Sequence, residues 1–76
     1  MPKLPQISGP TLIRVLKKEG WAEVGQKGSH KKLVRYSQPI GKAIIIIPQH
    51  KVLKKSTLSI ILKRSGLTAE KLKKLL

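Results

Sequence analysis

The chain contains no cysteine, no aspartate, no asparagine and no phenylalanine. Without cysteine it has no disulfide, no thiolate nucleophile and no cysteine-ligated zinc, which fits a reducing compartment. The only acids are Glu19, Glu23 and Glu70. Glu19 and Glu23 flank a helix end and a turn, a poor basis for a paired-carboxylate site. A Ser-His-Asp triad lacks its acid unless a glutamate replaces it. Two histidines and three scattered glutamates show no metal-ligand spacing. Trp21 and Tyr36 are the only aromatics and both read as core, so an aromatic platform for stacked bases is not the expected binding mode. The longest apolar run, Ala43–Ile47, is far short of the roughly 20 residues that cross a bilayer. The opening Met1-Pro2-Lys3-Leu4-Pro5 lacks the apolar stretch of a signal peptide. A cytoplasmic protein without a membrane partner is expected.

What the sequence has in excess is positive charge. Seventeen Lys and Arg residues against three acids give a formal charge of +14 on 76 residues. Charge of this size opposes compaction and attracts polyanions, with nucleic acid the first candidate class. A membrane surface is the second, but the β-rich middle and the lack of a long amphipathic helix weigh against it. The length allows one domain, residues 1–76, that buries only about 60% of its unfolded surface. Any active site must therefore lie on the outside of a thin structure.

Residues 1–8 read as a short leader, since Pro2 and Pro5 oppose regular structure. A helix starts near Gly9 or Pro10 with Ser8 or Gly9 as N-cap. Leu12, Ile13, Val15 and Leu16 form its apolar face, and Gly20 is its stop. Trp21–Gln26, His30–Tyr36 and Lys42–Ile47 read as strands, separated by turns at Lys27-Gly28-Ser29 and Gln38-Pro39-Ile40-Gly41. Such close spacing implies an antiparallel meander. The Ala43–Ile47 run is either a fully buried central strand or one with a face left for a partner. A second helix is expected over Lys55–Ser65, with Leu58, Ile61 and Leu62 inward and Gly66 as stop. Residues 67–76 form a short terminal helix capped by Thr68, with Leu72, Leu75 and Leu76 on one side. The predicted fold is α+β, αβββα plus a C-terminal helix, with a three-stranded antiparallel sheet covered by helices on one face.

Few residues remain to carry chemistry. RNA brings its own nucleophile in the 2′-OH, so one proton-transferring side chain among cations can suffice to cleave it. His30 sits in Gln26-Lys27-Gly28-Ser29-His30-Lys31-Lys32. Gly28 permits a tight turn and close approach of a phosphate. Ser29 can donate to a phosphate oxygen, and Lys27, Lys31, Lys32 and Arg35 can bind phosphates. His30 is thus either a catalytic group or the surface residue of an ordinary hairpin. His50, just past the third strand, is either a loop residue, an RNA contact or an aid to His30. The alternative is a non-catalytic module of the same fold that reads the shape and phosphates of double-stranded RNA; Lys51, Lys54 and Lys55 suit it, but the usual basic signature at the start of the second helix is not evident.

The sequence resembles the HicA toxins, the YcfA-like messenger RNA interferases. The resemblance runs from Ser8-Gly9 through Leu16-Lys17-Lys18-Glu19-Gly20-Trp21 to Gln26-Lys27-Gly28-Ser29-His30. It continues through Ile47-Pro48-Gln49-His50, the Thr57-Leu58-Ser59-Ile60-Ile61-Leu62 helix and Gly66-Leu67. It implies a double-stranded-RNA-binding-domain-like fold and a ribonuclease with His30 as catalytic residue; since the residues show no metal-ligand spacing, neither a metal nor a small-molecule cofactor is expected. It also implies a messenger RNA substrate and a HicB-type antitoxin that covers the active face.

Overall fold

A computed structural model describes residues 4–36 and 41–76. Helix α1 spans Gly9–Lys18, β1 Ala22–Lys27, β2 His30–Tyr36, β3 Lys42–Pro48, α2 Lys55–Ser65 and α3 Ala69–Leu75. The order is the αβββα arrangement with a C-terminal helix that the sequence predicts. The turn read at Gln38-Pro39-Ile40 lies outside the described residues.

Each helix begins and ends where local chemistry dictates. The Ser8 side-chain oxygen accepts from the Thr11 N–H at 3.1 Å, satisfying one of α1's free donors. Past Lys18, Gly20 adopts φ +92°; its N–H donates to the Lys17 carbonyl and the Trp21 N–H to the Leu16 carbonyl. These paired bonds close the helix through a left-handed residue that favours glycine. Gly66 ends α2 at φ +74°, and Thr68 caps α3 through the Lys71 N–H.

The sheet is a meander of order β1-β2-β3, antiparallel throughout. Both α1 and α2 pack on β3. Side chains alternate between faces along a strand, so the pairing register sorts them. Leu33 and Ile45 are opposite each other, as are Lys31 and Ile47, on the face turned to the helices. With Leu12, Leu16, Trp21, Leu58 and Leu72, the buried Leu33, Ile45 and Ile47 make the core. Leu4 and Ile7 join this core, and the Leu53 N–H donates to the Ile7 carbonyl. The segment before α1 is thus irregular but tied down.

His30, Lys32, Val34 and Tyr36 occupy the other face, which no helix covers. Two expectations change here. Tyr36 is not core: it is 75% exposed, because its place in the alternation puts it on the open face opposite Lys42. The Ala43–Ile47 run is not a central strand, since β3 is an edge strand and β2 lies in the middle. Its alternation sends Ile45 and Ile47 inward and leaves Ile44 and Ile46 41% and 48% exposed. Val34, flanked in its row by Ala22 and Ile44, is buried on the open face itself.

Candidate functional site

β1 and β2 are joined by the two-residue loop Gly28-Ser29, with Lys27 and His30 as its closing pair. Gly28 has φ +60° and Ser29 is not left-handed, the pattern of a II′ turn whose first central residue is glycine. The Gln26 side-chain amide donates to the Gly28 carbonyl at 2.9 Å and braces the loop. On the other side, the Gln49 N–H donates to the Ser29 carbonyl at 2.7 Å, carrying the β2–β3 ladder one step past the His30–Pro48 pair. The Gly9 N–H donates to the His50 carbonyl at 2.9 Å. The start of α1, the end of β3 and the β1–β2 loop thus form one hydrogen-bonded corner, with His30 on it.

Beside His30 is an open recess of about 570 Å³ lined by Gly25, Gln26, Lys27, His30, Lys32 and Ile46. Register explains its shape. Gly25, Lys32 and Ile46 form one cross-strand row, and Lys27, His30 and Pro48 form the next row on the same face. Gly25 follows a register shift between Glu23 and Gly25, a bulge in β1. Strand glycines often mark a bulge or the close approach of a ligand. None of the residues lining the recess is acidic, so Lys27 and Lys32 set the potential around the imidazole.

The residues singled out in the sequence divide by face. His30, Lys27 and Lys32 come together at the recess, with Gly28 and Ser29 in the adjoining loop. His50 is exposed at the same corner, where its carbonyl anchors α1, but it does not line the recess. Lys31 and Arg35 point to the helix side. Lys31 pairs with Glu23 at 3.4 Å. Arg35 lies 4.8 Å over the Trp21 ring and donates to the Ser65 carbonyl at 3.0 Å. Its guanidinium joins the sheet to the end of α2, away from His30. Gly25, Gln26 and Ile46 line the recess and were not anticipated; an isolated glycine inside a strand pattern was the available signal for the first of them. Among the described residues, no three His, Asp or Glu side chains gather into a potential metal site. Among the described residues, no helix is long and apolar enough to cross a membrane.

The sequence model of a family described as the HicA toxin of bacterial toxin-antitoxin matches residues 9–67. The match covers α1, the whole sheet and α2, and so includes every residue of the recess. No curated protein matches the chain.

Proposed function

The chain belongs to the HicA toxin family of bacterial toxin–antitoxin systems, and we propose that it is an endoribonuclease that cleaves messenger RNA in the cytoplasm with His30 as its acid–base group. Membership makes it the toxin of a toxin–antitoxin pair, with an antitoxin as partner. The observation that carries the catalytic reading is the setting of His30. It is exposed, at the lip of a concave surface, opposite Lys27 and beside Lys32, with no carboxylate among the lining residues.

In this reading a phosphodiester lies across the Lys27–His30–Lys32 corner. The ribose 2′-OH attacks the adjacent phosphorus and the bond to the 5′ oxygen breaks. His30 moves the proton, as base on the 2′-OH or as acid on the departing oxygen. Such a positioned group contributes about 10²–10⁴-fold to rate. Lys27 and Lys32 stabilise the charge that develops on the non-bridging oxygens. Gly28 and Ser29 offer a backbone and a hydroxyl that a phosphate can approach closely. A HicB-type antitoxin would silence the toxin by covering this face, and acidic surface on it would speed encounter with a +14 partner.

The test is incubation of wild type and His30→Ala with end-labelled messenger RNA in EDTA, read on a sequencing gel. Cleavage by wild type alone, with the variant folded and still binding RNA, is the expected result. Undiminished cleavage by His30→Ala removes His30 from the mechanism. Intact RNA in both lanes, with a salt-sensitive gel shift, makes the protein a non-catalytic RNA-binding module.

A further inference from the structure

The recess beside His30 exists because residue 25 has no side chain. Gly25 stands in the row of Lys32 and Ile46 on the uncovered face of the sheet, and a Cβ built on it meets no atom within 4 Å. Its φ is not left-handed, so the backbone does not require glycine there. Glycine in a strand interior weakens the strand. Neither a clash nor a left-handed φ requires the glycine; of the two usual reasons for one in a strand, an adjoining bulge and the close approach of a ligand, the second accounts for the open space over it.

The chemistry of the walls narrows that ligand. Ile46 and the Gly25 backbone give an apolar floor, and the aliphatic stems of Lys27 and Lys32 extend it while their ammonium groups stay in water. About 570 Å³ falls within the range of about 300–1,000 Å³ usual for small-ligand sites. A flat apolar group bordered by negative charge fits such a surface, and a nucleobase between two phosphates is one. A base can enter only if it is unpaired and unstacked, because in a duplex its faces are covered by neighbouring bases.

We infer that the Gly25 recess is a nucleobase subsite and that the substrate is single-stranded RNA, one unpaired base lying against Gly25 and Ile46 while an adjoining phosphate reaches His30, Lys27 and Lys32. This rests on the reading of His30 as the catalytic group, and it adds a selection for strandedness that phosphate contacts do not supply. The affinity of a duplex, held by phosphates alone, measures the charge contribution. The extra affinity of a single strand measures the recess.

The experiment fills the recess and measures binding without cleavage. In a His30→Ala background, Gly25 and Gly25→Val proteins are titrated with a labelled unstructured 12-mer RNA and with the same 12-mer annealed to its complement, at fixed salt, by fluorescence anisotropy. The Gly25 protein should bind the single strand about tenfold more tightly than the duplex, equivalent to about 1.4 kcal/mol. Gly25→Val should bring single-strand affinity down to that of the duplex and leave duplex affinity unchanged, while the melting temperature holds or rises because a β-branched residue replaces a glycine in a strand. Equal affinity of the Gly25 protein for both RNAs overturns the inference, as does a Gly25→Val protein that keeps the single-strand advantage. Because neither titration depends on cleavage, failure of the ribonuclease reading and failure of the subsite are separate results.

Discussion

Gly9→Ala should destabilise this fold through a backbone clash. Gly9 has no left-handed φ, and its position at the start of α1 would tolerate alanine on conformational grounds. Space forbids it. A Cβ on Gly9 would fall on the Pro48 carbonyl oxygen, well inside contact distance, and would lie 3.0 Å from both the Pro48 carbonyl carbon and the Gln49 Cα. All three atoms are backbone, so no side chain can swing aside. Helix propensity alone favours alanine over glycine by about 1 kcal/mol. Against this stand overpacking, at about 1–3 kcal/mol, and loss of the Gly9–His50 hydrogen bond, at about 1 kcal/mol. The net is a destabilisation of about 2 kcal/mol. At about 4–8 °C per kcal/mol for a domain of this size, the melting temperature should fall by about 8–16 °C in a circular-dichroism melt. Because Gln49 also holds the Ser29 carbonyl, RNA cleavage should fall at temperatures where the variant remains folded. A variant that melts at or above the wild-type temperature refutes the close approach of α1 to the end of β3.

The division of cations between faces gives a second contrast. Replacing Lys27 and Lys32 together with alanine should lower the slope of log affinity for single-stranded RNA against log salt by about 1.4, with a melting temperature at or above that of wild type. Arg35→Ala should do the reverse, lowering the melting temperature through loss of its contacts with Trp21 and Ser65 while the salt slope stays the same. Leu33→Ala, at the fully buried centre of the middle strand, should cost about 2–5 kcal/mol by denaturant titration. A loss below about 1 kcal/mol would mean that the core does not close over β2.

Most of the fold was legible because the signals are local. The 12, 13, 15, 16 spacing marked the buried face of α1, and Ser8, Gly20, Gly66 and Thr68 marked helix ends, each through hydrogen bonds within a few residues. Strand positions were legible too, but the face each residue takes was read from residue type rather than from parity. Counting by twos from His30 places Lys32, Val34 and Tyr36 together and sends Lys31 and Arg35 to the helices. Residue type alone points Tyr36 to the core and Arg35 to phosphates, whereas parity puts Tyr36 on the open face and Arg35 on the helix side, away from His30. The sequence also offered Gly25, a glycine within a strand pattern, whose meaning depends on facing Lys32 and Ile46 rather than the core. What no local rule supplies is the corner itself. Gly9 meets Pro48 and His50, and Ser29 meets Gln49, across long stretches of chain. These contacts fix where His30 sits and exist only once the chain has closed on itself.

The charge that points to RNA also acts on the fold. The molecule measures 33 × 29 × 19 Å. At about 10 mM salt the Debye length is about 30 Å, so nearly every pair of its cations repels; at about 150 mM it is about 8 Å, and most pairs are screened. Two of the three acids are already engaged, Glu23 with Lys31 and Glu19 with Lys71, which leaves little internal relief. Stability should therefore rise as salt is raised over that range, and a polyanion that binds only the folded state should raise it further, by about 2.7 kcal/mol at a hundred times its dissociation constant. RNA and an acidic antitoxin would then share one effect, neutralising the field that strains a small core. The check is a series of melts at 10 and 150 mM NaCl, with and without a single-stranded RNA. A melting temperature that is flat or falls with salt would mean that self-repulsion is not what limits stability, and that a partner's benefit to the fold must come from contacts rather than from charge.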